Sequence, residues 1–362
     1  MAVGTEETAG PEAGEVSAYR VFRVRVTRVT GLGPSFTRVT FTGDDLDLFA
    51  GHGLDQRINL LFPIPGRGYP HLPEGGDWYR RWRMLPPEHR NPIRTYTAGA
   101  VRPGTRELDI DFVLHGAAGP ASRWACSARP GDPLVVVGPD ARHRGPATGR
   151  EWAPPPDATR LLIAGDETAV PAIAAIAESL PGHVHAEVIL EVPDPADTRV
   201  LLVPPGVRVT WLPRCGAEAG GHGHAHGERL SAAVRAAAAR LAPAAPPPAG
   251  AVAGAAGGRE QGSAPAAAPE PQESAAAPEP QESAVALERR ASAAAPQEQE
   301  EDDDLWEVPD PGATVQGGFY AWLAGEAGVV TGLRRHLVGE LGVDRRTVAF
   351  MGYWRHGRPG GE

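Results

Sequence analysis

The chain contains no lysine: every one of its 35 basic residues is arginine. Alongside 45 glycines and 38 prolines in 362 residues, that absence reflects biased coding, and no function is read from it. Cysteine is nearly missing as well. Cys126 and Cys215 permit at most one disulfide, which excludes a disulfide-framed secreted scaffold. Neither has a C-x-x-C neighbour, and both read as structural. No apolar run approaches the roughly 20 residues of a membrane span, so no membrane insertion is expected. The opening MAVGTEETAGPEAGEVSA lacks the basic end and apolar centre of a signal peptide, and cytoplasm is the expected location.

What charge there is lies unevenly. The formal net charge is −10, yet residues 242–305 hold twelve acidic residues against three arginines, nine of the ten surplus negatives. The rest is close to neutral, and no nucleic-acid partner is expected.

Residues 1–17 read as a disordered tail. From Tyr19 the pattern has period two. In YRVFRVRVT, Phe22, Val24 and Val26 share one face, with Arg23, Arg25 and Thr27 on the other. TRVTFTG places Val39 and Phe41 inside in the same way. INLLFP (58–63), IRTYTAGAV (93–101), ELDIDFVLH (107–115) and PLVVVGP (133–139) follow between Gly, Pro and Asp turns. Six such strands without helices between them predict a small antiparallel β-barrel over residues 18–152.

After the proline-rich hinge 153–158 the period changes. RLLIAGD (160–166) is continuously apolar, as a parallel strand covered on both faces must be. A helix is expected over 168–180, strands over 185–192 and 207–213, and a helix over 229–241. A further strand (319–326), helix (328–341) and strand (347–355) complete an open parallel sheet, drawn from residues 158–242 and 314–358. Between these, residues 243–313 are rich in Ala, Pro and Glu and carry PEPQES twice. Such a stretch buries too little apolar surface to offset chain entropy and reads as a disordered insertion.

The candidate chemistry centres on Arg94–Trp124. In RTYT, Arg94 and Tyr96 share a strand face and Thr97 sits at the strand's edge. An arginine fork matches a pyrophosphate, a phenol ring offers a flat surface to an isoalloxazine, and a hydroxyl suits its reactive nitrogen. Downstream, a strand ends at His115-Gly116 and continues through Gly119, Pro120, Ala121 and Ser122 into a helix whose first N–H groups can take an anion. His115 fits equally a capped turn and a flavin contact.

These blocks, with PGDPLVVVGP, AGDETAVPAIAAI, VTWLPR, AWLAGEAGVVTGLRRHL and GYWRHG, resemble the siderophore-interacting proteins, in family order and over most of Tyr19–Gly357 outside the insertion. The resemblance implies a ferredoxin-reductase-like pair of domains, a Greek-key β-barrel for FAD and a Rossmann-like α/β domain for NADH or NADPH. It also implies FAD-dependent reduction of ferric siderophores, with a ferredoxin as another conceivable donor. Arg94, Tyr96 and Thr97 match its flavin tetrad, and His115, Gly119, Ala121, Ser122 and Trp124 its second flavin block. Asp166, Glu167, Thr168 and Ala169 match the turn where nicotinamide approaches, although Asp166 and Thr168 suit a plain helix cap too. The family's basic residue after the tetrad is here Ala98-Gly99, so either Arg102 replaces it or a contact is lost.

Tyr353 and Trp354, at the end of the last strand, read either as aromatics over the flavin or as core packing. Arg80, Arg81 and Arg83, set among Trp78 and Trp82, together with Arg214 and Arg355, are candidates for steering an anionic ferric chelate. GGHGHAHGE spaces His222, His224 and His226 for chelation, but as a glycine-rich loop it predicts no metal site. The alternatives in view are a general NAD(P)H:flavin reductase and a siderophore carrier without turnover.

Overall fold

A computed structural model of the chain describes residues 16–75, 77–114, 119–216, 223–242, 306–309 and 318–357. Nearly all of the expected tail and most of the 243–313 insertion lie outside these residues.

The alternation from Tyr19 onward becomes β1 (Tyr19–Gly31), β2 (Phe36–Thr42), β3 (Arg57–Leu61), β4 (Ile93–Thr97), β5 (Val101–Arg102), β6 (Glu107–Val113) and β7 (Pro133–Pro139). They pair antiparallel throughout in the order β4-β3-β7-β1-β2-β6-β5. Period two decides what is buried. Phe22, Val24, Val26, Val39, Phe41, Ile58, Leu60, Ile110, Phe112 and Val136 meet in one core. The sheet curls until Tyr96 of the end strand β4 reaches Phe112 of β6, ring centroids 4.8 Å apart. On the outer face, Leu61, Ile93, Val135 and Val137 are covered by Trp78 of α1 (Trp78–Arg83).

The second sheet contains β8 (Arg160–Gly165), β9 (His185–Val192), β10 (Val207–Pro213), β11 (Trp306–Glu307), β12 (Phe319–Glu326) and β13 (Val348–Trp354). Its order is β10-β9-β8-β12-β13-β11, parallel except for β11. Both faces are covered, which is why β8 reads as an unbroken apolar run. Leu161 and Ile163 pack with Ile173 and Ile176 of α3 (Val170–Ser179). Leu162 and Ala164 pack with Leu230 and Val234 of α4 (Glu228–Leu241) and Leu333 of α5 (Ala327–Arg334). The predicted helix over 328–341 is α5 followed by a π-helical turn, Arg335–Glu340. The chain runs outward from β8 to β9 and β10, then returns to β12 on β8's other side. The gap between β8 and β12 is therefore the switch point, where ligands of such sheets bind.

One expected boundary moves. Trp306 and Glu307 fall inside the 243–313 segment read as disordered, yet they form β11 against Met351 and Phe350 of β13. Arg57 lies 4.9 Å over the Trp306 ring, and Glu307 pairs with Arg334 at 2.6 Å. Two residues are too short a run to show a period, so composition hid them.

The two sheets are strapped together by the turn after β9. Asp197, buried, accepts hydrogen bonds from the Ser35 and Asp194 backbone N–H groups at 2.8 and 3.1 Å. A Cβ on Gly33 would stand 2.6 Å from Asp197 Oδ1, so the strap needs glycine there. Arg199 reaches across to Asp111 of β6 at 3.3 Å. Asp197→Ala should lower stability by about 2 kcal/mol by leaving two half-buried backbone donors without their carboxylate acceptor. A urea titration checks this, and an unchanged midpoint would remove the strap's importance.

Candidate functional site

β4 ends the seven-strand order, so one backbone edge of the RTYT strand is open to whatever lies beyond β3. Pleating separates Ile93, which faces Trp78 on the outside, from Tyr96, which packs toward the barrel core. Arg94 shares the Tyr96 face, as the alternation predicts. Its Nη1 donates to the Ile93 carbonyl at 2.6 Å. Burial raises the Tyr96 phenol's pKa, with the Arg94 charge opposing, so the hydroxyl is neutral. Thr97 closes the strand and is buried.

The second predicted element arrives at the same place. α2 (Pro120–Ser127) begins after Gly119, with Pro120 in its first turn, where the missing N–H costs nothing. No side chain among the described residues caps it, and a Cβ on Gly119 would meet nothing within 4 Å. Its first N–H groups therefore have no side-chain acceptor among the described residues. Ser122 Oγ donates to the Val113 carbonyl at 3.3 Å, anchoring α2 to the end of β6. Trp124 lies 5.6 Å from Phe112 and stacks on Phe41 at 6.0 Å. Tyr96, Phe112 and Trp124 therefore form one aromatic row joining the tetrad to α2. A guanidinium, a phenol face, a hydroxyl and an uncapped helix start are the donor set a flavin dinucleotide requires, and the residues fit that group. His115 lies outside the described residues.

Ala98-Gly99 has a steric cause. Gly99 N–H donates to the Asp109 carbonyl at 2.9 Å, and a Cβ on Gly99 would sit 2.6 Å from that oxygen. Arg102 does not fill in: its guanidinium forks onto Asp109 at 2.8 Å twice and bonds Glu107 at 2.8 Å. The family's basic contact has no substitute in Arg102.

At the switch point the chain builds a buried charge network. Asp166 follows β8 and is fully buried. Its Oδ1 accepts from the Thr168 N–H at 2.9 Å and from its hydroxyl at 2.5 Å, so of the two candidate caps Asp166 is the one that caps the turn and Thr168 is its donor. Its Oδ2 accepts from Glu326 N–H at 2.8 Å and Trp354 Nε1 at 2.9 Å. One carboxylate ties the ends of β8, β12 and β13, and glycine is required beside it: a Cβ on Gly325 would lie 2.6 Å from Oδ2. Glu167, also buried, receives both Arg214 nitrogens at 2.6 and 2.7 Å. Glu191 accepts from Gly227 and Leu230 N–H at the start of α4 and stands 3.3 Å from Arg214. Arg214, expected to steer substrate, is instead 13% exposed and committed to these carboxylates.

His226 completes the network. Its Nε2 is 3.4 Å from Asp166 and 3.7 Å from Glu167, and its ring meets Trp354 edge-on at 5.0 Å. The histidines do not converge: His224 turns to Glu228 at 3.5 Å, and His222 lies outside the described residues. No group of three metal-capable residues occurs among the described residues. Sequence reasoning missed Glu191 and Glu326 and took His226 only as a metal candidate. The visible signal for Glu191 was a carboxylate within the apolar run VILEV.

Tyr353 points the other way, stacked on Trp306 at 5.9 Å and edge-on to Trp322 at 6.5 Å. Since Arg57 lies over Trp306 and pairs with Thr97 across β3 and β4, this stack links the tetrad strand to β13. Arg80 and Arg81 pair with Asp77 at 3.7 and 2.9 Å. With Arg83 they ride on α1, across β4 from the Tyr96 face; Arg355 follows β13, half-buried. Both cysteines are free thiols and exposed, so neither is packed as structural residues would be.

Residues 158–357 match the family described as siderophore-interacting protein, and residues 25–143 match the siderophore-interacting FAD-binding domain. A siderophore utilization protein from T. fusca superposes with TM-score 0.60 at 26% identity, covering 96% of this chain and 97% of that one. The siderophore-interacting protein SipS of Aeromonas hydrophila gives 0.57 at 26% identity, with 94% of each chain covered. Ferric vibriobactin reductase of Vibrio cholerae is 38% identical over 178 residues, 49% of this chain and 60% of that protein. An uncharacterized protein of Mycobacterium tuberculosis is 36% identical over 196 residues, 54% of this chain and 65% of that one. The matches span somewhat under two thirds of these curated relatives' lengths.

Proposed function

This chain belongs to the siderophore-interacting protein family, and from that membership we propose that it is an FAD-dependent ferric-siderophore reductase, drawing electrons from NADH or NADPH in the cytoplasm. The observation that carries the reading is the meeting of two phosphate-competent elements at one barrel edge, β4 and the start of α2, joined by Tyr96, Phe112 and Trp124. Arg94 would hold the pyrophosphate, Tyr96 the isoalloxazine face and Thr97 its reactive nitrogen, while the N–H groups after Gly119, at Ala121 and Ser122, take phosphate. A bound flavin accepts two electrons as hydride and releases them singly, matching a two-electron donor to one-electron Fe(III).

The residues do the placing. The Asp166–Thr168 turn, at a switch point, is the approach for nicotinamide. Arg80, Arg81 and Arg83 on α1 present positive charge beside the end strand β4, suited to drawing in an anionic chelate. No acid, base or nucleophile is assigned, because reduction alone weakens the hard oxygen ligands' hold on iron. The reductase names of the Vibrio cholerae relative and of an Escherichia coli one, an NADPH-dependent ferric-chelate reductase, support this direction.

The purified protein should be yellow and oxidise NADH or NADPH faster when a ferric siderophore is added, with Fe(II) appearing on a ferrous chelator. Flavin without siderophore stimulation would indicate a general flavin reductase. A colourless protein that binds siderophore would indicate a carrier. Stimulation only by reduced ferredoxin would change the donor.

A further inference from the structure

The glycine-rich histidine loop has no part in the function so far, yet it delivers His226 to the switch point. There the imidazole lies between Asp166 and the Trp354 indole. Among the contacts that hold Trp354 are its Nε1–H bond to Asp166 and the edge-on imidazole. We infer that His226 is a positioning residue: its positive charge closes Trp354 over the carboxyl end of β8, and nicotinamide gains that space only when the indole is released. The inference rests on reading the Asp166 turn as the nicotinamide's approach.

The surroundings make the charge durable. Asp166 faces His226 from β8, Glu167 from the turn after it, and Glu191 from β9 through Gly227 and Leu230. Arg214, beyond β10, is shared between Glu167 and Glu191. Its own loop adds His224 and Glu228. Glu326 ends β12 beside Asp166, and His356 lies beyond Trp354 with ring centroids 6.3 Å apart. Of these three buried carboxylates Arg214 pairs with Glu167 and Glu191, and a second cation is needed beside Asp166. Burial works against charging His226, but Asp166 and Glu167 outweigh it and carry the pKa up to about 9. The imidazole and the indole N–H meet the same Asp166 oxygen, Oδ2, so that carboxylate couples the His226 charge to the placement of Trp354.

Tryptophan emission of the flavin-loaded protein tests this, since an imidazolium quenches a neighbouring indole. Emission should rise as pH passes about 9, where His226 loses its proton. The rise should be missing in both His226→Gln and Trp354→Phe. At pH 7, His226→Gln should bind NAD+ or NADP+ about fivefold more tightly than the parent, because a weaker lid leaves the competent state more populated. That advantage should vanish above pH 10. A rise retained in His226→Gln, no rise in the parent, or unchanged nucleotide affinity at pH 7 would overturn the inference. None of these measurements needs iron or turnover, so failure of the reductase reading alone leaves them intact. Circular dichroism confirms that each variant is folded.

Discussion

Replacing Arg214 with alanine should lower stability by about 3–5 kcal/mol, the cost of leaving buried carboxylates without their cation. Glu167 is 1% exposed and Glu191 fully buried, and Arg214 is the fork that meets both. At this chain's size that loss lowers the thermal midpoint by about 10 °C, which calorimetry reads directly. Arg214→Lys should recover part of it, since a point charge cannot bond both Glu167 oxygens. The same network sets the pH dependence. Burial pushes the Glu167 pKa up, but Arg214 and His226 prevail and hold it down at about 2, against 4.5 for the free group. A depressed carboxylate contributes stability above pH 4.5 and loses it as pH falls toward 2. His226 has the opposite sign: its contribution is complete below pH 6.5 and is lost as pH rises through about 9. Urea midpoints should therefore form a plateau between about pH 4.5 and 6.5. The acid limb should shrink in Arg214→Ala and the alkaline limb in His226→Gln. An Arg214→Ala protein as stable as the parent would show the carboxylates to be neutral or hydrated.

Periodicity made most of the fold legible. Phe22, Val24 and Val26 alternate on β1 because one face of that sheet is core, and Leu161–Ala164 run together because both faces of β8 are covered. Side-chain commitments were much less visible. Arg214 and Arg102 look like any surface arginine in the chain, and only three-dimensional proximity reveals Glu167, Glu191, Asp109 and Glu107 as their partners. The reading of Arg214 as a substrate contact failed for that reason. Trp354 was visible as an aromatic at a strand end, but its bond to Asp166 spans 188 positions, and no local pattern encodes such a pair. Gly99 reads as a loss of the family's basic residue until the Asp109 carbonyl is seen within 2.6 Å of where a Cβ would stand. Sequence pattern reports which face is buried. It does not report which charge finds which.

Arg94→Ala should release the flavin, with affinity for FAD reduced about 10- to 100-fold. A bidentate, charge-assisted contact to a phosphate is worth about 1.5–3 kcal/mol, and each 1.4 kcal/mol is a factor of ten. The flavin-to-protein ratio after dialysis and a fluorescence titration with added FAD both measure it. Three companion variants separate the roles along β4. Arg94→Lys keeps the charge without the fork and should fall between parent and alanine. Tyr96→Phe keeps the ring against Phe112 and should retain FAD, whereas Tyr96→Ala removes a flat surface and opens the aromatic row at its outer end. Pleating makes the set diagnostic. Thr95 lies on the opposite face of β4 and bonds Asn59 at 3.0 Å, so Thr95→Ala should leave FAD in place. If Arg94→Ala holds FAD as tightly as the parent while Thr95→Ala loses it, the flavin lies on the other face of the strand. The arginines of α1, the helix whose Trp78 covers that face, would then belong to the cofactor rather than to the chelate.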